Sequence, residues 1–149
     1  MARVLPRSHS RAAAVQALYQ ALVNNQQPEK AALDFVTAEN SDKIDVKYFN
    51  GLVEGVSKEI DSLDAELAYA IDRDLAEIDP VESSVLRLAV FEFMHRPEVP
   101  YRVVVNEAVE LAKAFGGEKG HKYVNGVLDK MGSKLRAVEY KASKARRKS

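Results

Sequence analysis

Apolar side chains recur at alternating steps of three and four residues between positions 46 and 67, and this spacing constrains the fold more than any other feature. The members of the stripe are Val46, Phe49, Val53, Val56, Ile60, Leu63 and Leu67. Because such steps return each side chain to one helix face, the stripe predicts a single helix of about six turns that packs along a partner helix. Asp45 is its expected N-cap, and Gly51 and Gly55 can bend it.

A second helix has the clearest start signal in the chain. In the segment Asp79-Pro80-Val81-Glu82, Asp79 is the expected N-cap and Pro80 the first helical residue. Glu82 stands where it can reach back to the amide of the cap. The segment Arg96-Pro97-Glu98-Val99-Pro100 should end this helix, because proline lacks an amide donor and disfavours helix before it.

Caps and apolar spacing predict further helices on both sides of these two. We expect one from an N-cap at Ser8 or Ser10 to about position 24, one at about 28–40, one at about 103–115, and a last one through Val124 and Leu128 that stops near Gly132. The pair Gly116-Gly117 predicts a left-handed C-cap at the end of the helix that stops at position 115. No alternating strand pattern competes with these helices, so the predicted fold class is all-α with about six or seven helices.

The length and composition suit one domain with basic ends. A chain of 149 residues with 46% hydrophobic residues can bury a core. We expect a basic N-terminal arm at 1–11, a helical domain at 12–135 and a basic tail at 136–149. The tail has little apolar content and is predicted to be disordered.

The residue types leave little room for catalysis. Cysteine is absent, which excludes disulfides, thiolate zinc sites and cysteine nucleophiles, and the three histidines lack metal-ligand spacing. The pairs Asp61/Asp64 and Asp72/Asp74 lie in an acidic helical face, where solvation is the usual role. The glycines at 116–120 lack the order of a phosphate loop. Apolar runs fall far short of the roughly 18 residues that span a bilayer. We therefore expect a cytoplasmic protein with no enzymatic activity, metal or cofactor.

The zero net charge conceals a strong asymmetry along the chain. Residues 1–11 carry a net charge of +3, residues 29–82 carry −10, and residues 134–149 carry +6. Basic ends suggest a polyanionic partner that the acidic middle would repel. The alternative is that the basic ends are merely solvated.

Basic side chains alternate with aromatic and amide side chains in two separate stretches. They comprise Arg7, His9, Arg11, Gln16 and Tyr19 in the first, and Lys119, His121, Lys122, Tyr123 and Asn125 in the second. Helical spacing suggests that Arg11 and Tyr19 share a face, and that Lys122 and Asn125 do. Such sets hold single-stranded RNA through cations on phosphates and rings on bases. The alternative places the tyrosines at the edge of the core.

Four segments of the chain carry a resemblance to a known family. They are Arg11-Ala-Ala-Ala-Val-Gln-Ala-Leu-Tyr19, Val81-Glu-Ser-Ser-Val-Leu-Arg-Leu-Ala89, Val99-Pro-Tyr-Arg-Val-Val-Val-Asn-Glu-Ala-Val-Glu-Leu-Ala-Lys113 and His121-Lys-Tyr-Val-Asn-Gly-Val-Leu-Asp-Lys130. The resemblance is to the NusB family of bacterial transcription antitermination factors. It implies about seven helices in two small packed bundles and a non-enzymatic role. In that role the protein joins ribosomal protein NusE on single-stranded boxA RNA, and NusA, NusG and RNA polymerase complete an assembly that suppresses termination, especially on ribosomal RNA operons.

The resemblance also implies two sets of contact residues. The RNA-facing set is Arg7, Arg11, Gln16, Tyr19, Lys119, Lys122, Tyr123 and Asn125. The NusE-facing set is Glu82, Arg87, Phe91, Glu92, His95, Arg96, Val99 and Tyr101. Glu82 can serve its cap or the partner, but one carboxylate cannot be assigned both roles.

Departures from the family pattern bear on the RNA contacts. The arginine-rich N-terminal motif is diluted to Arg3, Arg7 and Arg11, so the basic tail from Lys141 is a candidate to supply the missing charge. Two other interpretations stay open: a module like those that precede ribosomal RNA cytosine methyltransferases, and a structural protein that self-associates. The first would need a methyltransferase domain, which these residues do not contain, and a homodimer could also hide the RNA-facing surface.

Overall fold

A computed structural model describes residues 7–36, 41–117 and 119–148, with side chains as far as position 146. The chain divides into two compact units, Met1–Glu59 and Ile60–Ser149. The first contains α1 (Arg7–Asn24), α2 (Pro28–Ala32) and α3 (Val46–Lys58). The second contains α4 (Ile60–Leu67), a 3-10 turn (Leu75–Glu77), α5 (Pro80–His95), α6 (Tyr101–Phe115), α7 (Gly120–Leu135) and α8 (Ala137–Lys148). The predicted all-α class is confirmed.

The heptad stripe does not form one helix. The chain breaks at Glu59, whose φ of −102° and ψ of 14° end α3, and α4 starts at the next residue. Phe49, Val53 and Val56 are buried in the first unit, whereas Leu63 and Leu67 are buried in the second. The single six-turn helix was therefore wrong, because apolar spacing can continue unchanged across a break and serve two cores.

In the first unit, α1, α2 and α3 pack against one another. The carboxylate of Asp45 accepts the amide of Tyr48 at 3.0 Å, which confirms the predicted N-cap of α3. Ser10 is not a cap, because α1 already begins at Arg7. Its hydroxyl instead bonds the carbonyl and the amide of Asp45, each at 2.9 Å, and so joins α1 to the start of α3.

Two further expectations for the first unit need correction. By its spacing Leu22 belongs to the helix face of Val15 and Leu18, yet it is exposed, because it lies in the last turn of α1, where residues 22–24 are all exposed. Helix α2 ends at Ala32 rather than near position 40, and turns follow it to Phe35. The predicted end, Asn40, lies outside the described residues.

In the second unit, α5 is the central helix and packs against α4, α6 and α7. The carboxylate of Asp79 accepts the amides of Val81 at 2.9 Å and Glu82 at 3.3 Å, and Pro80 is the first helical residue. These contacts confirm the predicted start. Phe91 and Phe93 are both buried, although one stripe could not contain both, because α5 has neighbours on several sides.

Close packing, rather than left-handed backbone, explains two glycines. Gly116 has φ −110° and ψ −176°, so the predicted left-handed C-cap is wrong. A Cβ at this position would lie 2.8 Å from the carbonyl oxygen of Ala112. Helix α7 passes the predicted stop at Gly132 and ends at Leu135. A Cβ on Gly132 would overlap the ring of Tyr101, so this glycine admits a neighbouring aromatic side chain.

The basic tail is helical, and the prediction of a disordered segment at 136–149 is wrong for the described part. Residues Ala137–Lys148 form α8, which packs against α6 and α7. The hydroxyl of Tyr140 bonds Asp129 at 3.3 Å, and Lys144 pairs with the same carboxylate at 2.9 Å. The disorder prediction rests only on the low apolar content of the tail, and these polar contacts do not enter that measure. The predicted arm at 1–11 is likewise helical from Arg7 onwards.

The two glycines of α7 allow a matched test of the close approach. We expect Gly132→Ala to lower the free energy of unfolding by about 1–3 kcal/mol, because the added methyl group overpacks against Tyr101. Gly126→Ala is the control, since a Cβ there meets nothing within 4 Å and should raise stability by about 0.5–1 kcal/mol. Urea denaturation of both variants measures the difference, and equal effects would contradict this role for Gly132.

Candidate functional site

The first unit presents part of the predicted RNA-facing set on α1. Gln16 and Tyr19 are exposed, and their spacing of three residues places them on one helix face. The ring of Tyr19 keeps 40% of its accessible surface, so it is not a core residue. Arg7 is exposed at the start of α1, and its guanidinium lies 4.2 Å from the ring centre of Tyr48.

Arg11 does not belong to that exposed face. It is 3% exposed, its Nη2 donates to the hydroxyl of Tyr48 at 3.3 Å, and its guanidinium lies 5.4 Å from the ring centre. The separation of eight positions from Arg11 to Tyr19 corresponds to about two and a quarter helical turns, so the two side chains point in directions roughly 80° apart. The structure therefore contradicts their predicted shared face and makes Arg11 an internal contact between α1 and α3.

The second unit presents the other part of the set at the start of α7. Lys119, Lys122 and Asn125 are exposed, and the last two are separated by one helical turn. Lys119 immediately precedes the first residue of the helix. Both cations therefore stand where the helix dipole already favours an anion.

Tyr123 belongs to a polar cluster that sequence reasoning missed. Its hydroxyl donates to Asp72 at 3.2 Å, and the guanidinium of Arg73 lies 4.7 Å from the centre of its ring. Arg73 also bonds Asp72 at 2.9 Å, and this hydrogen bond lowers the pKa of Asp72. Burial raises the pKa of Tyr123, and the nearby charge of Asp72 adds to this shift. Arg73 stands in the strongly acidic segment 29–82, so no local signal marked it.

The structure decides one of the two roles that the sequence left open for Glu82: its carboxylate does not form the capping box, and its contact with a partner stays a prediction. Asp79 caps α5, whereas the carboxyl of Glu82 lies against Gly120 at the start of α7. A Cβ on Gly120 would lie 3.2 Å from the carboxyl carbon of Glu82. Burial raises the pKa of Glu82, and the neighbouring Asp79 raises it further.

Half of the predicted NusE-facing set lies inside the second unit. The buried members are Phe91, Glu92, Val99 and Tyr101. Phe91 cannot present its ring to a partner as a member of this set would, because it is 4% exposed. The ring of His95 lies 5.0 Å from the ring of Phe91, and the guanidinium of Arg96 lies 5.3 Å from it.

The other half of the set keeps some exposure and consists of Glu82, Arg87, His95 and Arg96. Arg87 is largely covered and holds Asp64 through two hydrogen bonds of 2.8 and 3.0 Å. His95 is exposed, and Arg96 is half-buried at the end of α5. Pro97 and Glu98 follow in an exposed turn, which adds a carboxylate that the sequence interpretation did not include.

The requirements of a metal site and of a membrane-spanning helix can each be compared with the described residues. Among the residues that the structure describes, no group of three or more histidine and acidic side chains could hold a metal ion. No helix within the described ranges is both long enough and apolar enough to cross a membrane.

Comparison with known families accounts for this architecture. The NusB family model matches residues 8–133 of the chain. The chain belongs to the NusB family. Two relatives named transcription antitermination protein NusB support this assignment. The protein of Nitrosococcus oceani is 46% identical over 95% of each chain, and that of Halorhodospira halophila is 48% identical over 95% of this chain and 92% of its own.

Solved NusB structures share the fold. NusB of T. maritima superposes with a TM-score of 0.81 at 24% identity, over 93% of this chain and 99% of the other. A crystal structure of the antitermination factors NusB and NusE in complex with dsRNA matches with a TM-score of 0.72 at 23% identity, over 91% and 96% of the two chains.

Two substitutions on α1 separate an internal role from a surface role. We expect Arg11→Ala to lower the free energy of unfolding by about 1.5–3 kcal/mol, because the buried hydroxyl of Tyr48 loses a charged donor. The matched Gln16→Ala change should stay within about 0.5 kcal/mol, since Gln16 is exposed on the same helix. Denaturant titrations followed by circular dichroism measure both. Full stability in Arg11→Ala would contradict the stabilising internal role of Arg11.

Proposed function

We propose that this NusB-family chain is a non-enzymatic transcription antitermination factor of the cytoplasm. Together with NusE it binds single-stranded boxA RNA in nascent transcripts, especially those of ribosomal RNA operons. Through NusA and NusG this complex helps RNA polymerase to resist termination. Family membership over residues 8–133 and the names of the relatives support the proposal.

The single observation that carries the RNA-binding part is the exposure of the predicted polar and aromatic side chains. Its members are Arg7, Gln16, Tyr19, Lys119, Lys122 and Asn125, with half-buried Tyr123 beside them. Lysine and arginine side chains can contact phosphates, and Tyr19 can stack on an unpaired base. Arg11 is left out of the proposed contact set because it is buried.

The Arg73–Tyr123 pair gives the second unit a composite contact for RNA. Arg73 covers the ring of Tyr123 and is itself exposed, so a base can stack on the guanidinium plane while the cation lies near a phosphate. Asp72 holds this guanidinium in place through a 2.9 Å hydrogen bond. We therefore add Arg73 to the proposed RNA-facing residues.

The proposed NusE surface is smaller than the sequence indicated. It comprises the exposed end of α5 and the following turn, with His95, Arg96 and Glu98 as its polar members. Phe91 and Glu92 support this surface from inside. The carboxylate of Glu98 is the member that suits a basic ribosomal protein.

A homodimer is the second candidate assembly. The outer face of α1 carries Tyr19, Leu22 and Val23, all of which are exposed. Pairing of two copies through these side chains would remove apolar surface from water and hide the proposed RNA contact of Tyr19. Gel filtration with and without RNA tests this form, because RNA should then shift a dimer to a monomeric complex.

The first experiment is a fluorescence-anisotropy titration of boxA RNA and a scrambled RNA of equal length, with and without NusE. We expect preferential binding of boxA and tighter binding with NusE. Tyr19→Ala should weaken binding by about 1–3 kcal/mol, because a stacked base loses its platform. Tyr69→Ala is the control, since Tyr69 is exposed but outside the proposed site. Equal binding of both RNAs with no effect of NusE would overturn the proposal.

A truncation tests the contribution of α8 to RNA affinity. Deleting residues 141–149 removes five cations while Arg136, Glu139 and Tyr140 remain. If α8 touches phosphates, the slope of log Kobs against log salt should become shallower by about 0.7 for each phosphate that α8 no longer neutralises. Lys58→Gln serves as the control, because Lys58 is an exposed cation outside the proposed site. An unchanged slope in the truncated protein would exclude α8 from the RNA contact.

A further inference from the structure

Arg136 occupies the junction of α7 and α8, and its side chain is only 7% exposed. Its guanidinium donates to four backbone carbonyls at the end of α5 and in the turn that follows. Nε bonds the carbonyl of Phe93 at 2.9 Å, and Nη1 bonds that of Val99 at 3.0 Å. Nη2 bonds the carbonyls of Glu92 at 3.2 Å and Arg96 at 3.0 Å.

Two of these carbonyls also accept a local amide, that of Glu92 from Arg96 and that of Arg96 from Val99, each at 3.0 Å. The carbonyl of Phe93 needs a donor from elsewhere in the chain, because the residue four positions on is Pro97. The last four carbonyls of a helix have no partner within it, and α5 ends at His95. The following segment contains Pro97 and Pro100, neither of which has an amide hydrogen. A planar guanidinium with five N–H groups can serve several carbonyls at once, whereas a lysine ammonium is a point donor. The residue type at position 136 therefore matches its surroundings.

Glu139 extends this contact to the start of α6. One of its carboxylate oxygens accepts Nη1 of Arg136 at 2.8 Å, and the other accepts the amide of Tyr101 at 2.8 Å. Tyr101 is the first residue of α6, and Pro100 before it has no side-chain cap. Arg136 and Glu139 together therefore hold both ends of the segment between α5 and α6.

We propose that Arg136, braced by Glu139, is a positioning residue for the partner-binding surface and holds the turn 96–100 in the conformation that NusE recognises. The inference rests on the proposed function, which assigns Arg96 and Glu98 in this turn to that surface. Arg136 itself is buried and acts through the backbone that it bonds. A surface ordered before binding loses less conformational entropy on association, so Arg136 contributes to affinity without contacting the partner.

The test compares Arg136→Lys, Glu139→Gln and the wild-type protein in calorimetric titrations with NusE. Circular dichroism first establishes a temperature at which every variant is fully folded, so that lower stability alone leaves the measured affinity unchanged. We expect Arg136→Lys to weaken NusE binding about tenfold. This is the loss that follows if the turn adopts its binding-competent conformation in only about a tenth of the molecules. Glu139→Gln should weaken it less, because the amide oxygen retains one acceptor.

Two further measurements separate positioning from general damage. Hydrogen exchange at the amides of Val99 and Tyr101 should accelerate in both variants, while exchange in α1 stays unchanged. RNA binding by the chain without NusE should also stay unchanged. Glu110→Gln is the matched control, since Glu110 is an exposed carboxylate on α6 that pairs only at 3.6 Å with Lys113.

The outcomes distinguish this inference from the function on which it rests. Failure of the wild-type protein to bind NusE would overturn the proposed partner and this inference with it. Wild-type binding together with unchanged affinity in folded Arg136→Lys would overturn the inference alone. If Arg136→Lys does not fold, Glu139→Gln decides, because its carboxylate lies near the surface and its affinity and exchange rates are measured in the same way.

Discussion

Helix α5 is buried on most of its circumference. The rest of the second unit must therefore supply hydrogen-bond partners for the backbone amides at its start and the backbone carbonyls at its end. At the start, the carboxylate of Asp79 accepts two amides from the first turn. At the other end Pro97 has no amide hydrogen to offer the carbonyl of Phe93, which instead accepts Nε of Arg136 from a distant segment. Burial of apolar surface holds such a helix in place, but unpaired carbonyls there would cost stability. The junction of α7 and α8 therefore secures the central helix as well as connecting its neighbours.

Charged residues in this chain have roles that depend on their surroundings more than on their type. Arg11 and Arg136 are buried donors to a hydroxyl and to backbone carbonyls, respectively. Arg73 lies outside on a tyrosine ring in the most acidic part of the sequence. The net charges of the segments suggested a polyanionic partner, yet they did not identify which cations would be available to it. Exposure decides that, because only a solvated cation can exchange its counterions for phosphates.

The candidate surfaces were predictable in part. Gln16, Tyr19, Lys119, Lys122 and Asn125 are exposed, as an RNA-facing role requires. In the proposed partner region, however, Phe91, Glu92, Val99 and Tyr101 are internal, since α5 and α6 pack against several helices at once. Residue type and helical spacing show which side chains can share a face. They do not show how many neighbours cover that face, and for α5 most of the circumference is covered.

The sequence by itself determined the all-helical class, the family, and the helix starts at Asp45 and Asp79. These features depend on contacts within about one helical turn or on spacing along one segment, so they can be predicted from the sequence. Only the tertiary structure decided that the heptad stripe breaks at Glu59, that the basic tail forms α8, and that Arg136 lies inside. Each of these depends on partners far away in the chain, such as Asp129 for α8 and the carbonyls after α5 for Arg136. Local spacing cannot specify such partners, because the energy of a buried polar contact exists only once folding brings both sides together.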